Sequence, residues 1–198
     1  MKVVKVGGSL IADARQVMSV LREYDVFIVP GGGDFADVVR KIYSENRISD
    51  VAAHKMAILG MHQYGLFLSD ISGAPVTEKI EESAGPRIIL PLEIIEKSDL
   101  PSSWDIASDT IACYIAKSLG LSSFIKLTDV DSVKIDGEVV ETIAAGKLLN
   151  TTTCLDKSLP AYLQTWKMDC RVLNGREENN IRRALNGDPV GTLVTGGK

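Results

Sequence analysis

The sequence has 198 residues, 45% of them hydrophobic, with 22 lysines and arginines against 26 aspartates and glutamates and a formal net charge of -4. That is enough chain to bury a substantial core. With no basic run or aromatic-studded basic patch, the balance offers no footing for nucleic acid or a membrane surface.

The chain opens Lys2-Val3-Val4-Lys5-Val6-Gly7-Gly8-Ser9, an apolar run ending at glycines, and a second such run covers Val26 to Pro30 ahead of Gly31-Gly32-Gly33. Both are rich in β-branched residues and read as strands. Ala12 to Tyr24 and Phe35 to Tyr43 follow them with helical spacing, a β-turn-α rhythm that favours a mainly parallel sheet with helices on both faces. Asp50 to Ser69 reads as a long helix carrying both histidines, His54 and His62.

After a loop at Gly73 to Gly85 come a strand at Arg87 to Leu90, a short helix at Leu92 to Lys97, and a helix from Ser108 to Leu119. A strand at Ser123 to Leu127 precedes a hairpin, Val133 to Ile135 and Glu138 to Val140, turning at Asp136-Gly137. Helix Leu155 to Trp166, strand Arg171 to Leu173, helix Glu177 to Asn186 and strand Thr192 to Val194 complete the chain. Neither a repeat nor a linker divides it, so one domain over 1–198 is expected. No stretch approaches the roughly 18 apolar residues of a membrane span, and the first residues read as folded strand, which makes a cytoplasmic protein the expectation. Cys113, Cys154 and Cys170 lie far apart without CxxC spacing and read as small buried hydrophobes, neither a disulfide frame nor a metal site.

The chemistry concentrates at the strand ends. Gly7-Gly8-Ser9 and Gly31-Gly32-Gly33 each lie between a strand and a helix, where successive N–H groups and the helix terminus suit phosphate. Neither fits GxxxxGK[ST] or GxGxxG. Both fall on the carboxyl edge of the sheet, the edge at which open α/β sheets bind ligands. Lys5 is the anomaly. A lysine inside an apolar parallel strand costs several kcal/mol unless an anion meets it, and from Lys5 the side chain reaches the phosphate that the glycine turn would cradle.

Taken together, "VVKVGGSL", "IVPGGGDFAD", "SDTIACYIAKSLG", "KLTDVDSV" and the closing "GTLV" resemble the amino acid kinase superfamily, in order and over essentially the whole chain. The resemblance implies an αβα sandwich of the short form, with the acceptor over roughly 1–107 and ATP over roughly 108–198. It further implies ATP and Mg2+ as cofactors, a small-molecule phosphate acceptor as partner, and a homo-oligomer. Lys5 and a second lysine would neutralise the transferring phosphoryl group while Asp109 holds the two in place. That second lysine would be Lys157 in "CLDKSLP", with Lys167 the alternative.

By the same resemblance Gly7, Gly8 and Ser9 together with Thr128, Asp129 and Asp131 would lie on the nucleotide. Gly31, Gly32, Gly33, His54 and His62 would lie on the acceptor, with Trp104 and Asp105 as possible contacts to its ring or amine, and no residue set would bind metal directly. The short stretch between Gly33 and Asp109, with "DVAAHKMAILGMHQYG" and "SWDIASDT", resembles a compact archaeal-type branch of methanofuran-biosynthesis kinases. This implies the phosphate of (5-(aminomethyl)furan-3-yl)methyl phosphate as acceptor. Isopentenyl phosphate, uridylate and a non-catalytic nucleotide storage or sensor role are the alternatives. A ring-sized acidic pocket would speak for the furan, and a deep apolar tunnel beside a histidine for isopentenyl phosphate.

Overall fold

The computed structural model describes residues 1–81, 84–135 and 137–197. In chain order the strands are β1 (Lys2–Val6), β2 (Val26–Pro30), β3 (Val76–Thr77), β4 (Arg87–Ile89), β5 (Ser123–Thr128), β6 (Lys134–Ile135), β7 (Glu138–Val139), β8 (Thr142–Ala144), β9 (Asp169–Asn174) and β10 (Thr192–Thr195). The α-helices are α1 (Ala14–Leu21), α2 (Gly33–Glu45), α3 (Asp50–Ser72), α4 (Leu92–Glu96), α5 (Ser108–Ser118), α6 (Leu159–Trp166) and α7 (Glu178–Asn186). Eight strands form one sheet in the order β3-β4-β2-β1-β5-β9-β10-β8, every pairing parallel except β9 with β10. β6 and β7 form the expected antiparallel hairpin, with Gly137 at φ 87, while Asp136 lies outside the described residues.

The period-two alternation of the central strands divides the core into two layers. Val4, Val6, Ile28, Ile125 and Leu127 face α1 and α7. Val3, Phe27, Val29, Phe124 and Val172 face α5 and α6. α3 closes one end, adding Ile58 and Met61 to the second layer and Tyr64 and Leu68 to the first. The expected αβα sandwich with a mainly parallel sheet is therefore the fold.

Four segments depart from the sequence reading. The first glycine turn tightens into a 3-10 helix over Gly8–Asp13, so α1 starts at Ala14 and not at Ala12. The helix expected from Leu155 begins at Leu159, because Asp156 turns its carboxylate onto the amides of Thr110 and Leu159 and stands outside the helix it caps. Two short edge strands, β3 and β8, fall in stretches too brief to show alternation. Each is held by its neighbour, β4 and β10 respectively.

β1 is the hinge of the topology. The chain runs from β1 outward to β2 and β4 on one side, then returns to β5 on the other. At such a reversal the crossover helices diverge and leave a crevice at the carboxyl ends of the strands.

Candidate active site

Three strand ends tie together at the floor of that crevice. The Gly7 amide donates to Leu127 O at 2.9 Å and the Gly31 amide to Val6 O at 2.8 Å, so those two N–H groups are spent on the sheet. The turns they open press against each other: a Cβ on Gly8 would lie 2.1 Å from the Gly33 Cα, and Gly33 has φ +50. The helices that follow have no side-chain cap at Gly7 or Gly32. Their first-turn amides face the crevice with the positive end of each helix.

Lys5 is 7% exposed and points to the α5 side. Its Nζ lies 2.9 Å from Asp109 Oδ1, and Asp109, in the first turn of α5, is itself buried. The other oxygen, Oδ2, takes Lys126 Nζ at 2.5 Å and the backbone amide of Asp156 at 3.0 Å. Lys126 also donates to the Cys154 carbonyl. Burial alone would raise the Asp109 carboxyl, but Lys126 and Lys5 outweigh it and hold it far below the ordinary carboxylate range. Burial, reinforced by repulsion from Lys126, lowers Lys5 despite Asp109, whereas for Lys126 the attraction of Asp109 overcomes burial and raises it.

The expected trio of Lys5, Asp109 and Lys157 is thus brought together only in part. Lys157 has a side chain 77% exposed and pairs with Asp105 at 3.2 Å on the surface. Lys167 is exposed at the end of α6, in left-handed backbone at φ 53. The lysine beside Asp109 is Lys126, in the middle of β5. Its signal was in the sequence: Ile125-Lys126-Leu127 is the same apolar run interrupted by a cation that marks Lys5.

Three cavities meet around this cluster. An open cleft of about 340 Å³ is lined by Lys5, Lys126, Ser9, Thr128 and the glycine turns. Through Gly32, Arg40 and Ser108 it joins a smaller, partly open cavity of about 100 Å³ between α2, α3 and the segment before α5. That smaller cavity is walled by His54, Ile58, Met61, Trp104, Ile106 and Ile111. On the opposite side, through Cys154, the cleft joins a cavity of about 440 Å³ bordered by Asp129, Asp131, Lys134, Thr153 and Asn174. Asn174 donates to Asp131 at 2.8 Å and holds that wall.

The two histidines separate. His54 is buried, and its Nε2 lies 3.1 Å from Ile106 O; a carbonyl only accepts, so Nε2 carries the proton and the remaining ring nitrogen of the neutral form is an acceptor. His62 lies outside the small cavity's wall and accepts the Leu92 amide at Nε2, 2.9 Å, pinning the start of α4. Burial lowers both imidazoles, which keeps them neutral at neutral pH. Trp104 packs edge-on against Tyr43, ring centroids 5.1 Å apart. Apart from Arg40, His54 and Ser108 the wall of the small cavity is apolar, and among the described residues no carboxylate lines it; Asp34 and Asp37 border the open cleft beside it. Arg40, at the junction and ion-paired with Asp37, carried no sequence signal, since one arginine on an amphipathic helix reads as surface.

Cys113 and Cys170 are buried, and burial raises both thiols, that of Cys113 to about 12. Cys154 is only half-buried, at the edge of the cleft. Among the described residues no group of three His, Cys, Asp or Glu side chains gathers to hold a metal, and no helix is long and apolar enough to cross a membrane.

A mainly parallel sheet between two helical layers, with paired glycine turns and a buried lysine–aspartate pair at its carboxyl edge, is an arrangement suited to holding phosphate. The chain belongs to the amino acid kinase family, whose profile matches residues 1–158, and it is a kinase. Among its relatives, the (5-(aminomethyl)furan-3-yl)methyl phosphate kinase of Methanocaldococcus jannaschii is 33% identical over 202 residues, covering 94% of each chain. The uridylate kinase of Methanobrevibacter smithii is 25% identical over 227 residues, covering 97% of each. In fold, the chain matches the uridylate kinase of Archaeoglobus fulgidus with a TM-score of 0.74 at 20% identity, over 98% of this chain and 100% of that one. The UMP kinase of Bacillus anthracis gives 0.73 at 14% identity, over 98% and 95%.

Proposed function

We propose that this kinase transfers the terminal phosphoryl group of ATP to the phosphate of a small phosphomonoester, forming a diphosphate. The acceptor that fits best is (5-(aminomethyl)furan-3-yl)methyl phosphate, which would place the enzyme in methanofuran biosynthesis. The observation that carries the reading is the junction itself: a glycine-floored cleft into which two lysines reach, with a ring-sized pocket opening on one side and a larger cavity on the other. Asp129 and Asp131 on the larger cavity and Thr128 on the cleft support the reading of that side as the nucleotide's, and Gly32 joins the cleft to the pocket proposed for the acceptor.

Kinases of this family generally use ATP with magnesium. Phosphoryl transfer asks for alignment and neutralisation of charge more than covalent help from the protein. An acceptor that is already an ionised phosphate needs no general base, and magnesium would ride on the nucleotide phosphates. Lys5, held by Asp109, faces the transferring group, while Arg40 at the mouth of the small cavity supplies a cation for the acceptor phosphate.

The small cavity is below the roughly 150 Å³ that takes benzene in an apolar core. A single five-membered ring is of the size of this pocket, which supports the furan reading. The acceptor nitrogen of neutral His54 complements an ammonium better than a phosphate oxygen. The second reading is isopentenyl phosphate, favoured by the carboxylate-free apolar wall of Ile58, Met61, Ile106 and Ile111.

Phosphorus NMR on the protein with Mg-ATP and a panel of phosphomonoesters and carboxylates separates these. The expected outcome is a new diphosphate from the furan phosphate. Turnover of isopentenyl phosphate alone would move the acceptor to the second reading, and ATP binding without turnover of any acceptor would point to a storage or sensor protein.

A further inference from the structure

We propose that Lys126, and not Lys157, is the second cation on the transferring phosphoryl group. The proposal rests on the kinase reading above and names a catalytic residue that the sequence motifs place elsewhere.

Lys5 and Lys126 are direct partners in the β1–β5 register, side by side on adjacent parallel strands. Both point to the α5 layer, and they are 7% and 3% exposed. Like charges directly opposite each other in a sheet repel, and a buried charge without a counter-charge is costly. Asp109 offers one negative charge, with Oδ1 toward Lys5 and Oδ2 toward Lys126. The nearest other buried carboxylate, Asp156, spends its oxygens on Thr110 and Leu159, so among the described residues Asp109 is the one carboxylate that both lysines share, at the crevice where the sheet topology reverses. Such a site is completed by an anion.

Donor geometry points the same way. An ammonium group has three N–H donors. For Lys126, Asp109 Oδ2 and the Cys154 carbonyl take two of them. No third acceptor is present among the described residues, and the side chain borders the cleft together with Lys5, Gly8 and Ser9. A phosphate oxygen over the glycine floor would accept from the remaining N–H. The Cys154 carbonyl belongs to the segment that also lines the nucleotide cavity, so the ammonium is held at the joint between that cavity and the cleft. The attraction of Asp109 keeps Lys126 charged despite its burial. Lys157, by contrast, has its ammonium in solvent against Asp105.

The test compares Lys126→Met, which keeps the length and apolar stem but removes the charge, with Lys157→Ala, in steady-state assays on the acceptor that the wild-type protein turns over. Lys126→Met is expected to lose about a hundredfold or more in kcat with a much smaller change in KM for ATP, and Lys157→Ala to lose far less. Propylammonium in the assay should restore part of the rate to Lys126→Ala, a rescue that a packing role would not give. Circular dichroism checks that the variants are folded. Should they fail to fold, 15N-lysine NMR of the wild-type protein decides, since Mg2+ with a non-hydrolysable ATP analogue should shift the Lys126 Nζ signal. A folded Lys126→Met within about threefold of wild-type kcat would overturn the proposal, as would a large loss confined to Lys157→Ala or an unmoved Nζ signal. Failure of the wild-type protein to phosphorylate any acceptor would instead remove the kinase reading beneath it.

Discussion

Asp156 shows how much of the site depends on one side chain that the motif reading passed over in favour of its neighbour Lys157. Its carboxylate accepts from the Thr110 amide at 2.8 Å, the Thr110 hydroxyl at 2.7 Å and the Leu159 amide at 2.8 Å, so it caps α5 and α6 at once. Its own amide steadies Asp109. Burial first, and the negative charge of Asp109 second, push the Asp156 carboxyl up to about 6 against those hydrogen bonds. An acid raised in the folded state holds its proton there more tightly than in the unfolded chain. Its contribution to stability therefore falls as pH rises from about 4, the ordinary carboxyl value, to about 6. Asp156→Asn cannot titrate. Whatever its offset from wild type at pH 4, thermal melts should show that offset moving in favour of the variant as pH climbs from about 4 to about 6 and levelling off above. An offset that stays constant between pH 4 and 7 would contradict the assignment.

At the scale of elements, the two β-turn-α units work because their glycine turns touch. Gly8 and Gly33 approach so closely that a methyl group on Gly8 has no room, and the nearest atoms are backbone, which does not swing aside. Gly8→Ala is expected to destabilise by about 1–3 kcal/mol, as overpacking does, and to raise KM for ATP by parting the turns. Urea unfolding and initial rates measure the two effects. The placement of both turns at one sheet edge was legible from sequence, because apolar runs ending in glycine announce parallel strands and their carboxyl ends. Asp109 was legible as an acid in a helix's first turn, inside the stretch "SDTIACYIAKSLG" that resembles the amino acid kinase motif. Lys157 was read into the cluster because its position in the chain order suited the family's second lysine, but chain order does not report depth. The loop of Asp156 turns its carboxylate inward as a helix cap and leaves the next side chain in solvent.

Across the whole molecule the cleft spans both halves of one continuous sheet, since β1 is hydrogen-bonded to β2 on the side proposed for the acceptor and to β5 on the side proposed for the nucleotide. A sheet that runs unbroken through the site should unfold as one unit, so a single thermal transition is expected, shifted upward by Mg-ATP through binding to the folded state alone. Two separate transitions would speak against the single domain. By itself the sequence determined the sandwich, its parallel strands, the glycine-rich edge and the energetic cost of Lys5, because hydrophobic period, turn chemistry and the penalty for burying a charge are local properties of the chain. Only the tertiary structure decided which charges share that cost. The register of β1 with β5 sets Lys126 beside Lys5, and the packing of α5 carries Asp109 between them. Residues far apart in the chain become electrostatic partners only when strand pairing and helix packing bring them within a few ångströms in a medium that screens them little.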